Sequence, residues 1–380
     1  MINTGKRTRF LLVGVPKSRL SKEQIIKDME ELWSLVMTLG NAEIVDALVQ
    51  RADRPDNATF IGRGKVEELY EKVKNEQIDV VVINNIVKAQ QLHNVKMKLF
   101  SANEKIEVWD RVDLILFIFS LHAHTAEAKL QIDLAKMHHM GPRIYGMGKV
   151  LSNQAAGIGA VGIGETNTEL MKRHWRSAIN KVQEQLDKLS AEKEHQLERR
   201  KRLGLETVSI VGYTNAGKTA LFNRLTGKSN LTENILFATL DSAIGKLYLP
   251  TAKKEIFITD TIGFIKNLPP TLIQAFTSTL IESIHADILL HVIDASDEDM
   301  KYKISVVEKI LHDLKIQNKH KIYIFNKMDK AIYPKNELAA EYDIYTPIFI
   351  SASKNEGIDE VKNCIDSLSL SATTQNKNNL

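Results

Sequence analysis

Residues 212–219, Gly-Tyr-Thr-Asn-Ala-Gly-Lys-Thr, have the types and the spacing of a phosphate-binding loop. They fit Gly-x4-Gly-Lys-Thr, follow the apolar run 207–212 and precede a helix-forming segment. Glycines let backbone N–H groups surround a β-phosphate, the lysine reaches the β- and γ-oxygens, and the threonine hydroxyl can ligate Mg²⁺. We therefore predict that Lys218 is catalytic and that the nucleotide is bound by Gly212, Tyr213, Thr214, Asn215, Ala216, Gly217, Lys218, Thr219 and Ala220.

A second motif, Asn-Lys-Met-Asp at 326–329, indicates which base the nucleotide carries. It follows the apolar run 321–325, so it stands where a loop at a strand end is expected. The Asp329 carboxylate can accept hydrogen bonds from guanine N1–H and from the 2-amino group, whereas adenine offers neither donor there. Asn326 and Asp329 are predicted to select guanine, and Lys327 to lie along the base plane. The Ser-Ala-Ser stretch at 351–353, with Ser351 and Ala352 as the predicted nucleotide-binding residues, is expected to add a backbone N–H to the guanine oxygen.

Two further segments offer groups for a metal ion and for the γ-phosphate: Asp-Thr-Ile-Gly-Phe at 260–264 and Leu-Phe-Ala-Thr-Leu-Asp at 236–241. We predict that Thr219 and Thr239 ligate Mg²⁺ and that Asp260 holds it through a water. The Gly263 N–H suits the γ-phosphate, so Thr239 and Gly263 join Lys218 as predicted catalytic residues. The four motifs together predict an Mg²⁺-dependent GTP hydrolase that binds GTP and GDP.

Phe264 occupies the position where many GTPases carry a glutamine that orients the attacking water. A phenyl ring cannot hydrogen-bond water, so we expect slow intrinsic hydrolysis and a water-positioning group from elsewhere. Asn215 offers one route, since an asparagine at this loop position in related GTPases helps to hold K⁺. The alternative is that Asn215 only stabilises the loop, and K⁺ is therefore a second candidate ion beside Mg²⁺.

Composition excludes several classes of protein. The 380 residues suggest two or three domains, no apolar run reaches the roughly 18 residues of a membrane span, and a single cysteine excludes a disulfide framework. Residues 1–204 carry 32 Lys and Arg against 26 Asp and Glu, and residues 205–380 carry 19 against 21. The first part is thus weakly basic, which suits a polyanionic partner or simply a solvated surface. We expect a cytoplasmic monomer.

The order of apolar and helix-forming segments predicts an α/β chain in several parts. Alternating strands and helices indicate a βαβ-type N-terminal domain at 1–109, and amphipathic segments indicate a helical hairpin subdomain at 110–204. Within that subdomain, the glycine-rich stretch 151–166 is predicted to be a loop. A Ras-like P-loop GTPase domain is predicted at 205–368, followed by a polar, disordered tail at 369–380.

The chain resembles the HflX-type GTPases, a group of the TRAFAC class with a hydrophobic residue in place of the catalytic glutamine. The resemblance is carried by residues 60–69, 122–143 and 157–166 and by the GTPase motifs. It implies a protein that docks on the large ribosomal subunit and its rRNA and dissociates or rescues stalled ribosomes, under stress. It also implies that the subunit stimulates hydrolysis and that the helical hairpin reaches ribosomal RNA.

Some positions depart from that family. Val161 and Ile163 stand where the family has an arginine and a proline, and the helix that follows keeps Lys172, Arg173 and Arg176 but is less rich in arginine. The family's additional C-terminal domain is also expected to be lacking. Two alternatives therefore stay open: a nucleotide-gated binding module with low turnover and a non-ribosomal partner, and an RNA-assembly GTPase. The second would need a dedicated RNA-binding module, and the sequence has no Gly-x-x-Gly clamp with suitable flanks.

Overall fold

The computed structural model describes residues 7–155, 161–229, 236–237, 243–266, 272 and 277–377. Within this described part, no helix is both long and apolar enough to cross a membrane. The chain divides into two compact units. The first consists of Met1–Leu121 and Leu130–Gln185, and the second of His122–Lys129 and Leu186–Leu380.

The first unit is built on a parallel four-stranded sheet with the strand order β2-β1-β3-β4. Its central strands are continuous apolar runs because helices cover both faces of a parallel sheet. Helix α1 begins after Ser21, which forms a capping box with Gln24. The elements are β1 (Thr8–Gly14), α1 (Lys22–Met37), β2 (Ala42–Val49), α2 (Arg63–Glu76), β3 (Val80–Ile83), α3 (Ala89–Leu99), β4 (Glu107–Asp110) and α4 (Arg111–His122).

Two long helices follow, α5 (Ala126–Ala155) and α6 (Val161–Arg202). The prediction of a loop over 151–166 is wrong for 151–155 and 161–166, which belong to these helices, while residues 156–160 lie outside the described residues. Glycine costs about 1 kcal/mol per residue inside a helix. Extending an existing helix needs no new nucleus, however, and the segment contains no proline. Helix α5 also includes the Met-Gly-Pro-Arg sequence at 140–143 within its bounds.

In the first unit, His139 of α5 is paired with two carboxylates at the start of α4. Its Nε2 lies 3.1 Å from Asp110 Oδ1 and 3.4 Å from Asp113 Oδ1. Asp110 and Asp113 also accept each other's backbone N–H, as in a capping box. Burial opposes protonation of the imidazole, but the bonds to both carboxylates prevail and raise the pKa of His139 to about 9. His139 is thus a cation at neutral pH.

This pair makes stability depend on pH. A histidine whose pKa rises from 6.5 to about 9 on folding contributes fully below pH 6.5, and the contribution disappears as the pH rises through 9. The shift corresponds to a ceiling of about 3 kcal/mol. We expect His139→Gln to lower the urea midpoint at pH 6 and to change it little at pH 9.5. An equal loss at both pH values would contradict this role. His312→Gln, at a largely exposed histidine, is the control.

The second unit contains a six-stranded sheet with the order β10-β9-β8-β5-β7-β6, in which only β6 runs antiparallel to its neighbour. The α/β fold class and the Ras-like order of elements predicted from the sequence are confirmed. The elements are β5 (Thr207–Gly212), α7 (Lys218–Thr226), β6 (Ala243–Leu249), β7 (Lys254–Asp260), α8 (Thr277–His285), β8 (Ile288–Asp294), α9 (Met300–Asp313), β9 (His320–Asn326), α10 (Lys335–Glu341), β10 (Ile348–Phe349) and α11 (Ile358–Lys377).

The prediction of a disordered tail from residue 369 is wrong for the described residues, because α11 continues to Lys377. Ser369 is buried, and its carbonyl accepts a hydrogen bond from Lys254 Nζ while its hydroxyl donates to Glu206. No glycine or proline interrupts residues 369–377, so the helix that starts in the core has no stop signal there.

Candidate nucleotide-binding site

The predicted phosphate-binding loop connects buried strand β5 to helix α7, at the carboxyl edge of the sheet. Gly212 has φ +152, and a Cβ there would lie 2.3 Å from the Val292 carbonyl oxygen of the neighbouring strand. Gly217 has φ +92, and a Cβ there would lie 2.2 Å from Asn326 Nδ2. Only glycine meets both requirements. Because α7 begins at Lys218, its positive N-terminal end faces the loop.

The Lys218 side chain is buried beneath this loop. Its Nζ donates to the carbonyl oxygens of Gly212 at 3.2 Å and Tyr213 at 2.9 Å. Burial lowers the pKa of Lys218 to about 8, against the raising effect of the Asp260 carboxylate. A buried cation bound mainly to neutral carbonyls gains from an added anion, so the surroundings of Lys218 suit a phosphate group.

Thr219 and Asp260 come together from α7 and from the end of β7. The Thr219 hydroxyl donates to Asp260 Oδ2 at 2.7 Å, and Asp260 is fully buried. Hydroxyl and carboxylate oxygens are the ligands that Mg²⁺ prefers, so this donor set fits the ion. Thr239, the other predicted ligand, lies outside the described residues.

Gly263 and Phe264 lie directly against the phosphate-binding loop. A Cβ on Gly263 would be 2.7 Å from Thr214 Cα and 3.0 Å from Lys218 Nζ. Phe264 pairs with the loop through its backbone, since its N–H donates to Gly212 O at 3.1 Å and its carbonyl accepts from Thr214 N at 2.7 Å. The phenyl ring is buried, with 1% exposure. The residue at the glutamine position thus contributes neither a polar group nor an exposed side chain.

Asn326, at the end of β9, connects the phosphate-binding loop to the segment that follows β10. Its Nδ2 donates to Ala216 O at 2.9 Å, and its Oδ1 accepts from Ala352 N at 3.0 Å. The hydroxyl of Ser351 donates to Asp329 Oδ1 at 2.7 Å, and this bond is the main reason why the pKa of Asp329 is lowered. Asp329 is therefore ionised at neutral pH and has acceptor capacity left for a base.

Lys327 lies at the strand end with a left-handed backbone, φ +61, and its Nζ is 2.6 Å from Asp294 Oδ2. Of the predicted phosphate-binding residues, Lys218, Thr219 and Ala220 form the first turn of α7, and the others lie between the end of β5 and that helix. The predicted base-binding residues lie at the ends of β9 and β10. This arrangement follows the rule that ligands bind at the carboxyl ends of parallel strands.

Sequence reasoning missed Asp294 and Arg224. Asp294 ends β8 and orients Lys327, while Arg224 of α7 donates from Nε to Ala352 O at 2.9 Å and from Nη2 to Ser353 O at 3.1 Å. An apolar strand that ends in an aspartate could have indicated Asp294. The Arg224 contact joins residues 128 positions apart, and no local pattern indicates it.

Models of three protein families match the chain. They are described as GTP-binding GTPase N-terminal, for residues 26–120, GTP-binding GTPase Middle Region, for 122–200, and 50S ribosome-binding GTPase, for 207–327. The "GTPase HflX" of Caldanaerobacter subterraneus is 40% identical over 361 residues, which are 95% of this chain and 80% of the relative. The chain belongs to the HflX family of GTPases. The resemblance noted in the sequence is thereby confirmed.

Other HflX relatives and solved structures agree. The "GTPase HflX" of Alkalihalophilus pseudofirmus is 38% identical over 84% of this chain and 74% of its own. A crystal structure of SsGBP in complex with GDP matches with a TM-score of 0.54 and 25% identity, over 96% of this chain and 99% of that one. As an HflX-family member with a P-loop domain, the protein binds guanine nucleotides and is a GTP hydrolase.

The limits of the matched family models and of the two compact units do not agree on the domain boundaries. The family models change between residues 200 and 207, close to the predicted boundary of 204/205, whereas the two compact units divide α6 at residue 185/186. The predicted ranges 1–109, 110–204 and 205–368 of this HflX-family chain therefore stay predictions.

Proposed function

We propose that this HflX-family GTPase hydrolyses GTP at the carboxyl edge of the six-stranded sheet and couples hydrolysis to the large ribosomal subunit in the cytoplasm. The loop 212–219 holds the α- and β-phosphates with its backbone N–H groups. Lys218 stabilises the charge that develops between the β- and γ-phosphates. Asn326 and the ionised Asp329 select guanine. The adjoining positions of these groups at one sheet edge support the assignment.

Mg²⁺ would be held by Thr219, by Thr239 and by Asp260 through a water. When bound, the ion neutralises charge on the phosphate oxygens. The Gly263 N–H serves the γ-phosphate, and the close approach of Gly263 to Thr214 and Lys218 supports this role. All these groups bind and orient the nucleotide, and none of them activates water.

The buried ring of Phe264 is the main reason to propose that GTP hydrolysis depends on a partner. Because this residue cannot orient water, fast hydrolysis needs a group from outside the site. The large ribosomal subunit or its rRNA is the proposed source, and the match to a family described as 50S ribosome-binding GTPase supports it. Coupling of this kind suits a protein that dissociates or rescues stalled ribosomes under stress.

We also propose that Asn215 helps to hold K⁺ beside the phosphates. Asn215 is exposed at the loop surface and has a left-handed backbone, φ +61, so its side chain stands at the rim of the loop. A K⁺ ion there would add positive charge near the β- and γ-phosphates, much as an arginine finger does.

The test is GTP turnover at a fixed protein concentration while purified large ribosomal subunits are titrated in, in K⁺ and in Na⁺ buffers. We expect slow turnover without subunits and a saturable stimulation of about 10³-fold or more, in line with externally supplied transition-state groups. K⁺ should give the higher rate, and Asn215→Ala should remove the difference between the ions. A flat response with tight GTP binding would refute the ribosomal coupling and favour a nucleotide-gated binding module.

A further inference from the structure

Arg224, near the C-terminal end of α7, makes two hydrogen bonds to consecutive peptide groups of the loop 351–354. Its Nε donates to Ala352 O at 2.9 Å and its Nη2 donates to Ser353 O at 3.1 Å. Helix α7 begins with Lys218 and Thr219 at the phosphate end of the site. One side chain thus joins the helix that serves the phosphates to the loop proposed to face the base.

The two bonds fix the orientation of two peptide planes. In a trans peptide, the N–H of a residue points away from the carbonyl that precedes it. Because the carbonyls of Ala352 and Ser353 point towards Arg224, the N–H groups of Ser353 and Lys354 point away from α7. Within the described part of the chain, neither N–H donates a hydrogen bond.

The N–H groups of Ser351 and Ala352, and the Ser351 hydroxyl, already donate hydrogen bonds within the protein. Ala352 N donates to Asn326 Oδ1 at 3.0 Å, and Ser351 pairs with Glu356 through two backbone bonds of 3.1 and 3.0 Å. The Ser351 hydroxyl donates to Asp329. The N–H groups of Ser351 and Ala352, which were predicted to reach the guanine oxygen, thus both donate within the protein. The N–H groups left for a ligand in this loop are therefore those of Ser353 and Lys354, next to the carboxylate proposed to bind guanine.

We propose that Arg224 is a positioning residue for guanine recognition, which turns the N–H groups of Ser353 and Lys354 towards the 6-oxygen of the base. This inference rests on the proposed base site at Asn326 and Asp329. An arginine suits the task because its planar fork can bind two neighbouring acceptors at once, whereas a lysine offers a single nitrogen.

The test measures the affinity of wild type and Arg224→Gln for three diphosphates: GDP, inosine diphosphate and 2,6-diaminopurine riboside diphosphate. Inosine keeps the 6-oxygen and N1–H, whereas diaminopurine replaces the 6-oxygen by an amino group and has no N1–H. The missing N1–H weakens its binding to wild type and variant alike, so the effect of Arg224 is read from the difference between the two proteins. We expect Arg224→Gln to bind both GDP and inosine diphosphate about tenfold more weakly than wild type does, and to bind the diaminopurine compound with nearly unchanged affinity. The ratio of affinities for GDP and the diaminopurine compound should therefore fall about tenfold. Arg224→Lys should lose less than Arg224→Gln.

Lys228→Gln is the matched control, since Lys228 is an exposed cation just beyond α7 that bonds the Ile244 carbonyl instead of the base loop. Equal losses for all three diphosphates, or none for GDP, would overturn the role of Arg224. Failure of the wild-type protein to prefer GDP over the diaminopurine compound would refute the base site itself. Thermal midpoints of both Arg224 variants show whether the fold is kept.

Discussion

Asp329→Asn is expected to change the base preference from guanine to xanthine. The amide replaces an acceptor by a donor where guanine presents N1–H and its 2-amino group, whereas xanthine carries an oxygen at position 2. Hydrogen bonds to a charged group contribute about 1.5–3 kcal/mol each, so losing both should weaken GDP binding by about 10²–10⁴-fold. Xanthosine diphosphate should gain affinity, and titration calorimetry with both nucleotides measures the exchange.

The structure supplies a control for this change. Asp359 carries a carboxylate that is 92% exposed on the same unit, and Asp359→Asn alters the charge equally without touching the loop. Its affinity for GDP should equal that of the wild type. An unchanged preference for guanine in Asp329→Asn would remove Asp329 from the base site, whatever the role of the phosphate loop.

Gly217→Ala is expected to abolish measurable nucleotide binding under conditions where the wild type is saturated. The new Cβ would lie 2.2 Å from Asn326 Nδ2, and the alanine would have to adopt a backbone φ of +92. Either Asn326 leaves its bonds to Ala216 and Ala352, or the loop shifts away from the phosphates. A left-handed backbone alone costs about 1–3 kcal/mol, and the displaced Asn326 adds to it. Titration of GDP measures the loss.

Gly227→Ala is the control that distinguishes backbone strain from the contact between a new Cβ and Asn326. Gly227 ends α7 with φ +69, and a Cβ there would meet no atom within 4 Å. The variant should lose stability as Gly217→Ala does, yet keep its affinity for GDP. If both variants lost affinity to the same degree, backbone strain and not the contact with Asn326 would be the cause.

The sequence predicted the phosphate loop and the guanine motif because each is a short run whose chemistry depends on residue types a few positions apart. Thr219 and Asp260 could be paired because both follow apolar strands, and such ends meet at one sheet edge. The helix limits around 151–166 and 369–377 were missed because helix propagation depends on neighbouring segments, which composition does not show. Arg224 was missed because its partners are distant in sequence.

Asn326 has a consequence for the thermodynamics of ligand binding. The same amide side chain holds Ala216 in the phosphate loop and Ala352 in the loop beside the base. Fixing either loop therefore restricts Asn326 and prepares the other loop. When guanosine and pyrophosphate bind as separate fragments, the binding of each should include the full entropic cost of ordering both loops, whereas the binding of GDP includes that cost only once. Affinity for the intact nucleotide is thus cooperative across its length, and the two ends of the site form a single energetic unit.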